Sequence, residues 1–514
     1  MRYGDLPLAP QDEDGRHMKS MLGSSLLNAA AGLLSLFAGF GSSVVVARAL
    51  GVEGAGIVAY ALWIMTVATL ISDFGMPQAI LRFVGQSDGA DDGGRPGLVR
   101  TMTRRFVATT GALAITMLGY AGWLALSGQE SVSLIWAATT GLFLVYAYST
   151  LSLGAAQGLG RFRESSLNTA IGCLLQPFLV LLGALVLGPA GAIFGHMFRH
   201  LPQALSLRKY LSPARAGVQP VTPAMTTYAR NSWLSGGITA LLGSRVELAV
   251  IGLFFNLTAV GHYAIASTMT GMVIQLSYFL VAPLVPLFSY HNDRGDHAGL
   301  TEAYQRSLLG LSLVLAPICF GGAAISPVLI PALFGEDFRP AVELSVVLLA
   351  FGFAAAMVTV PYRMMLARER SGAVLRLSIW EGLACIGLLL VVVPRFGTMG
   401  AAWVKGLTGT ASFLFCLWYC HRRLGVACKP LALLKVLLAA LCCAAAASAC
   451  LWWMPNLPGM LLGIVAGAIA YLLALTILSA VPLEERRIVA RWAEGKLPAP
   501  LAGLLSRAML ASRS

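Results

Sequence analysis

The chain carries charged side chains inside stretches of sequence that otherwise consist of apolar residues. The basic ones are His196, Arg199, Arg245 and Lys405, with Arg48 at the outer end of the first apolar stretch. A charge at the centre of a membrane helix costs about 2.5–3.5 kcal/mol, so it usually faces a cavity or a partner. Guanidinium and ammonium groups bind anions, above all phosphates. We predict that these five residues form a cationic substrate-binding cavity, although Arg48 also fits a side chain that reaches back to the interface.

Three acidic residues lie inside apolar stretches as well: Asp73, Glu247 and Glu381. Carboxylates inside membrane proteins often belong to proton pathways. We predict that these three couple transport to an ion gradient. The alternative is that they pair with the buried cations and serve only packing.

Arg245 and Glu247 are two residues apart, so on one helix their side chains leave it about 200° from each other. They cannot pair, and at least one of them needs a partner on another helix or a watery cavity.

The composition identifies the environment of these charges. Of the 514 residues, 57% are hydrophobic and 11% are charged, with a mean hydropathy of +0.76. A soluble domain carries about 25% charged residues. The composition excludes a soluble enzyme and a disulfide-stapled secreted module, and it predicts an all-α polytopic membrane protein.

Fourteen apolar segments are long enough to span a bilayer, whose hydrocarbon layer is about 30 Å thick, and helix is the expected state. They cover 24–49, 55–82, 103–127, 131–157, 165–187, 190–210, 229–255, 259–289, 303–331, 341–366, 372–394, 398–421, 431–453 and 458–481.

The basic residues test this topology, because Lys and Arg gather in cytoplasmic loops. With both termini cytoplasmic, 31 of the 36 Lys and Arg residues fall on the cytoplasmic side. The net charge of +13 is therefore attributed to these loops, and no nucleic-acid partner is expected.

Weak internal repeats suggest two copies of one six-helix unit. A shift of 209 residues aligns Gly188 with Gly397, Gly191 with Gly400 and His196 with Lys405, and a shift of 205 aligns Gly56 with Gly261. An even number of spans in each copy makes the copies parallel. The predicted organisation is a cytoplasmic tail (1–22), an N-lobe (23–210), a cytoplasmic linker (211–227), a C-lobe (228–424), two further spans (425–481) and an amphipathic cytoplasmic tail (482–514).

No signature for nucleotide binding or metal binding stands out. The phosphate-loop pattern G-x4-G-K-[ST] is absent, and His196 and His200 lack a third ligand in sequence. We expect neither an enzyme nor a cofactor, so transport would draw on an ion gradient, the membrane potential or the substrate's own gradient.

The first two spans read VVVARALGVEGAGIVAYALWIMTVATLISDFGMPQAILRFVG, and the turn after the fourth reads QGLGRFRES. These segments resemble the bacterial polysaccharide-biosynthesis membrane proteins, the oligosaccharide-lipid flippases. The matching positions are Ala47, Arg48, Leu50, Gly51, Gly56, Asp73, Gly75 and Arg82, while Ile57-Val58 replaces the usual Tyr. The motifs cover about the first 165 residues.

The resemblance implies an inner-membrane carrier that moves an undecaprenyl-diphosphate-linked oligosaccharide, such as an exopolysaccharide or O-antigen repeat unit, to the periplasmic leaflet by alternating access. A polysaccharide polymerase and glycosyltransferases are its expected partners. Lipid II flippases and multidrug extruders share the fold and remain alternatives, although an extruder of cationic drugs would need a cavity dominated by carboxylates. A further alternative is a scaffold of a polysaccharide synthase complex that transports nothing.

Overall fold

The computed structural model describes residues 11–85, 94–210, 222–243 and 245–480. Within these ranges the chain forms fifteen α-helices and one short 3-10 turn (Glu336–Phe338), with no strand. The helices are α1 (Gln11–Asp73), α2 (Met76–Gly85), α3 (Gly94–Leu126), α4 (Glu130–Gly158), α5 (Phe162–Tyr210), α6 (Pro223–Gly243), α7 (Val246–Phe254), α8 (Leu257–Leu280), α9 (Leu284–Asp293), α10 (His297–Phe334), α11 (Ala341–Met357), α12 (Thr359–Ala367), α13 (Ser371–Leu424), α14 (Pro430–Trp453) and α15 (Leu457–Ile477).

The predicted all-α membrane fold is confirmed. Among the described residues, ten helical segments are long and apolar enough to cross a membrane. Helices are the expected solution, because a lipid-exposed backbone must satisfy its own hydrogen bonds. Three of these segments are too long for one crossing and contain a break, so the predicted count of fourteen stays a prediction.

Each of the three breaks lies at a glycine with left-handed φ. Gly51, Gly188 and Gly397 have φ of 68°, 60° and 60°, with extended ψ. Only glycine adopts this combination without strain. All three breaks fall between two predicted spans. Each glycine also opens the pattern G-x-x-G-A, which reads GVEGA, GPAGA and GTMGA.

The second glycine of this pattern allows the returning helix to start close to the end of the first. A Cβ on Gly54 would lie 2.4 Å from the Cβ of Leu50, the residue before the first glycine. The same relationship recurs at 2.9 Å between Gly191 and Leu187, and at 2.8 Å between Gly400 and Phe396. The three turns therefore share one geometry, and the match of Gly188 with Gly397 supports the proposed repeat.

One predicted span differs from the structure. Residues 229–255 were expected to form one helix, but α6 ends at Gly243 and α7 begins at Val246. The residue before α7 is Arg245, which has a φ of 51°. A left-handed conformation at a non-glycine residue is unfavourable and ends the helix there.

The Cα positions divide the chain into two compact units. The first contains Met1–Val45 and Ile64–Gly237, and the second contains Val46–Trp63 and Ile238–Ser514. The predicted lobes stay a prediction, and their boundaries differ from those of the two units in two places. Residues 46–63 belong with the second unit, and residues 228–237 belong with the first.

In the first unit, α6 packs against the junction of α1 and α2. Trp233 Nε1 donates a 2.6 Å hydrogen bond to the carbonyl of Leu70, and its ring stacks on Phe74. Gly75 allows the close approach, because a Cβ there would lie 2.1 Å from the carbonyl oxygen of Ala229. This junction also contains Asp73, one of the predicted coupling residues.

In the second unit, a buried core joins helices α7, α8, α11 and α13. Leu248, Ile251, Tyr263, Leu389 and Ala401 are all buried in it. The residues next to Glu247 and Lys405 in the chain pack in this core. The core therefore positions the candidate site.

Three predicted segments lie wholly or partly outside the described residues, including the tail 1–22, of which residues 1–10 are outside them. The tail 482–514 is outside them, as are residues 211–221 of the linker. The predicted N-terminal tail 1–22 is helical from Gln11 onward.

Candidate functional site

The second unit contains a partly buried ion pair between two predicted site residues. Lys405 Nζ lies 2.7 Å from Glu247 Oε1. The Glu247 side chain is 3% exposed, whereas that of Lys405 is 35% exposed. Lys405 lies on the second half of α13, after the Gly397 break, and Glu247 lies in the first turn of α7. The partner that the spacing of Arg245 and Glu247 demanded is therefore Lys405.

Arg245 lies two residues before Glu247, at the break between α6 and α7. Its side chain is exposed and within electrostatic reach of Glu247 and Tyr263. Its Nη2 atom is 4.0 Å from the position of a Cβ on Gly271, so the guanidinium lies within van der Waals distance of α8. Arg245 is thus an accessible cation beside a pair that contains a second, partly accessible cation.

The first unit contains a polar chain on α5. His196 is buried, and its Nδ1 lies 3.0 Å from Nε2 of Gln176. Gln176 Oε1 in turn accepts a 3.5 Å hydrogen bond from Nη1 of Arg199. Nη2 of Arg199 donates to Ser35 Oγ on α1. His196 and Arg199 share a face, as their spacing predicts, and Gln176 connects them.

Arg48 contacts the end of another helix. Its Nε donates to the carbonyl of Leu333 at 2.9 Å, and its Nη2 donates to the carbonyl of Ala332 at 2.6 Å. These are carbonyls of the last turn of α10, which a helix leaves without internal partners and where a cation is favourable. The predicted role of Arg48 in substrate binding therefore competes with a capping role.

The structure places two predicted coupling carboxylates in different local settings. Glu381 Oε2 accepts a 2.7 Å hydrogen bond from Ser412 Oγ and lies 3.5 Å from the hydroxyl of Tyr362. Asp73 Oδ1 accepts a 2.8 Å hydrogen bond from the backbone N–H of Gly75. Asp73 thus shapes the turn between α1 and α2, while Glu381 is held by hydroxyl groups.

Several neighbours of these charges were not predicted from the sequence. Ser35, Gln176, Tyr362 and Ser412 are neutral, and polar residues of these types occur throughout the spans. The i and i+20 spacing of Gln176 and His196 crosses the break at Gly188, so no helical periodicity relates them. Their position becomes evident only when the helix folds back at that glycine.

The two cations of this group differ in their pairing. Lys405 pairs with Glu247, as the packing alternative predicted, whereas Arg245 forms no ion pair within 4 Å among the described residues. The Arg245 side chain is exposed and that of Lys405 is partly exposed, so each is accessible to an anion.

Together, the long apolar helices and the ionisable groups inside them define a multi-pass helical membrane protein. The chain belongs to the polysaccharide biosynthesis protein family, because that family's model matches residues 45–343, more than half of the sequence.

Two named relatives match about a third of the chain at low sequence identity. The chain is 25% identical over 189 residues to the teichuronic acid biosynthesis protein TuaB of Bacillus subtilis (strain 168), covering 36% of this chain and 38% of TuaB. It is 21% identical over 165 residues to the probable low-salt glycan biosynthesis flippase Agl15 of Haloferax volcanii, covering 32% of this chain and 35% of that protein. The chain therefore matches little more than a third of the length of either relative.

Two solved structures share the fold. The lipid II flippase MurJ in its inward closed conformation superposes with a TM-score of 0.68 at 14% identity, over 89% of this chain and 98% of that one. An inward-facing multidrug resistance MATE family transporter of the MOP superfamily gives 0.62 at 14% identity, over 78% and 98%. The predicted family resemblance is confirmed.

Proposed function

We propose that this protein is an alternating-access flippase that moves an undecaprenyl-diphosphate-linked oligosaccharide from the cytoplasmic to the periplasmic leaflet of the inner membrane. Both termini are cytoplasmic in this proposal. The candidate substrate-binding residues of the second unit are Arg245 and Lys405, and those of the first unit are Arg199 and His196; the tests below address the residues of the second unit. Its functional partners are a polysaccharide polymerase and glycosyltransferases.

The observation that carries the proposal is the exposed Arg245, within electrostatic reach of the Glu247 that pairs with Lys405. Lys405 lies within the apolar segment Ser371–Leu424, where a charge is costly, and Arg245 lies at the break between α6 and α7. A diphosphate offers several acceptor oxygens, and a guanidinium binds such oxygens with two parallel hydrogen bonds. A drug cation would be repelled by Arg245, which favours an anionic lipid over the cargo of a multidrug extruder.

Coupling to an ion is part of the same proposal. Glu247 is the most buried of the three carboxylates and contacts Lys405 directly. Protonation of Glu247 would release Lys405 to bind the diphosphate, and substrate release would restore the pair. Asp73 and Glu381 are the other candidate coupling groups; Asp73 accepts a hydrogen bond from the backbone N–H of Gly75, and Glu381 accepts one from Ser412.

Lipid II is the second candidate substrate. The fold likeness to the lipid II flippase MurJ covers nearly all of that protein, and lipid II carries the same diphosphate. The cationic site therefore suits both lipids, and the sugar portion must distinguish them.

A leaflet assay separates these possibilities. The full chain is reconstituted into vesicles with undecaprenyl-diphosphate that carries an NBD-labelled sugar, and dithionite then bleaches only the label in the outer leaflet. Parallel vesicles contain NBD-labelled lipid II or the cationic dye rhodamine 6G. Movement of the labelled glycan lipid supports the proposal, and faster movement of lipid II would assign that substrate instead.

Variants connect the assay to the site. Arg245→Gln should slow movement of the labelled lipid about tenfold, the effect of losing about 1.4 kcal/mol of binding to the moving state. Arg395→Gln, an exposed arginine outside the site, serves as the matched control. Dye transport without lipid movement would favour an extruder, and no movement of any probe would favour a scaffold.

A further inference from the structure

A second group of arginines lies in a pocket away from Arg245 and Lys405. The pocket has a volume of about 350 Å³ and is lined by Asn292, Arg368, Glu369, Arg370, Arg423 and Leu424. We refer to it as the arginine pocket. Three guanidinium groups and one carboxylate give it a net positive charge.

Arg368 is fixed in the wall of this pocket. Its Nη1 donates a 2.6 Å hydrogen bond to Asn292 Oδ1, and its Nη2 donates to the carbonyl of Leu424 at 3.3 Å. Its Nε–H is buried and has no acceptor among the described residues. A buried donor without an acceptor is unfavourable, and a guanidinium has five donors in a rigid fork. Arg368 is therefore held in position with donors left over.

The other two arginines are available to a ligand. Arg370 and Arg423 are exposed, and neither forms an ion pair with an acidic side chain in the described part of the chain. Glu369, between Arg368 and Arg370, also lines the pocket and lowers its net charge.

Helix ends also surround the pocket. α13 begins after Arg370, whose carbonyl accepts N–H groups of the first turn of that helix. Three helices, α9, α12 and α13, end beside the pocket, and Arg368 donates to the carbonyl of Leu424 at one of these ends. The positive charge of the pocket therefore comes from its arginine side chains. Glu369 has a φ of 56°, an unfavourable conformation of the kind that is retained at functional sites.

The pocket lies where apolar helices end. Asn292 is next to the last residue of the apolar segment Leu257–Asp293, and the segment Ser371–Leu424 both begins and ends beside the pocket. This places the arginines at the predicted boundary between lipid and water, on the side to which the basic residues assign the cytoplasm. Anionic headgroups at that surface attract clustered arginines.

We propose that the arginine pocket binds a phosphate group presented at the membrane surface, with the headgroup of an anionic phospholipid as its source. This site is separate from the proposed transport site, and its occupation does not depend on the flippase function. A free phosphate compound offers the same chemistry, so the test contains an arm for each source.

The test measures lipid retained by the full chain. The protein is purified from nanodiscs made of equal parts of phosphatidylcholine and phosphatidylglycerol, and bound lipid is counted by native mass spectrometry. The double variant R370Q/R423Q should lose phosphatidylglycerol by about tenfold or more, because charge-assisted hydrogen bonds to phosphate are lost. The matched control R376Q/R395Q removes two exposed arginines that do not line the pocket and should retain the lipid.

The second arm adds inorganic pyrophosphate to the same sample. Displacement of phosphatidylglycerol from the wild type shows that the phosphate group is the recognised element, and that a free phosphate compound can occupy the site. Retention shows that the pocket requires the lipid. Equal loss in both double variants, or no loss in either, would overturn the proposal. If the double variant does not fold, Arg423→Gln alone is compared with Arg376→Gln.

Discussion

Helices α1 and α8 cross at Gly56 and Gly261, and the contacts of these two glycines are reciprocal. A Cβ on Gly56 would lie 2.0 Å from the carbonyl oxygen of Leu257, and a Cβ on Gly261 would lie 2.1 Å from that of Val52. Each glycine thus packs on the carbonyl four residues before the other. The repeat alignment pairs the same two glycines, so the contact has the two-fold form expected of equivalent positions, and small residues are what close helix crossings require.

Gly261→Ala should therefore destabilise this arrangement. The added methyl group cannot fit beside the carbonyl of Val52, and overpacking of this kind costs about 1–3 kcal/mol. The measurement is the thermal unfolding midpoint of the purified full chain in detergent. Gly119→Ala is the control, because no atom lies within 4 Å of a Cβ there. Equal midpoints for the two variants would show that the crossing is not a constraint.

The Lys405–Glu247 pair allows a test that separates packing from transport. Lys405→Met should lower stability by about 3–5 kcal/mol, because it leaves the Glu247 carboxylate buried without a partner. Glu247→Gln should cost less, since the Lys405 side chain is partly exposed. Unfolding midpoints of the two variants give the comparison.

The double variant K405M/E247L completes this test. It should recover most of the stability, because it removes both charges together. If its rate of lipid movement in the NBD assay also recovers, the pair serves packing alone, and the proposed role of Lys405 in substrate binding is wrong.

Arg48 should act as a helix cap. Arg48→Gln removes the two hydrogen bonds to the last turn of α10 and should cost about 1 kcal/mol at this exposed position. Arg48→Lys should recover part of the loss through its charge. The assay is again the unfolding midpoint, with Arg395→Gln as an exposed control. A normal midpoint combined with a slow lipid movement rate would assign Arg48 to the substrate instead.

Asp296 should make the start of α10 sensitive to acid. Its Oδ1 accepts the backbone N–H of Gly299 at 2.8 Å, and its Oδ2 lies 2.9 Å from Nδ1 of His291. The Gly299 hydrogen bond first, then His291 and the charge of His297, lower the pKa of Asp296 below its usual value. Its stabilising effect is therefore complete above the ordinary Asp pKa, about 3.9, and is lost as the pH falls through the lowered value.

The comparison is Asp296→Ala against the wild type over a pH series. The difference between their unfolding midpoints should be constant near neutral pH and should shrink in strong acid. Asp296→Asn should keep the helix cap, because asparagine is also a good N-cap residue. A difference that does not change with pH would show that the charge of Asp296 does not stabilise the start of α10.

Much of the helical layout follows from local sequence. The boundaries at Gly188 and Gly397 were predicted from span length, and glycine is the residue that lets the backbone turn there. The same reasoning failed at Arg245, where Gly243 is a residue typical of a helix end but the apolar segment continues on both sides. Tertiary packing around Gly271 and Glu247 accommodates a conformation that local preference disfavours.

The charged residues divide in the same way. That Glu247 needs a partner follows from the cost of a buried carboxylate. The argument that excluded Arg245 assumed one continuous helix, and the break at Arg245 removes that assumption. Which residue supplies the partner could not be predicted, since Lys405 is far away in the chain. Arg48 shows the converse, because its type and position suggested a ligand site, whereas the folded chain directs it to two carbonyls of α10.

The amino-acid sequence was enough to predict a helical membrane protein, the positions of most of its long apolar segments, and which charged residues lie inside them. These properties depend on hydrophobicity, helix length and glycine, which act over a few turns of chain. The tertiary structure alone decided which charges meet, which helix end Arg48 caps, and that three arginines surround one pocket. Such contacts join residues that are distant in the chain, and no periodic pattern records them.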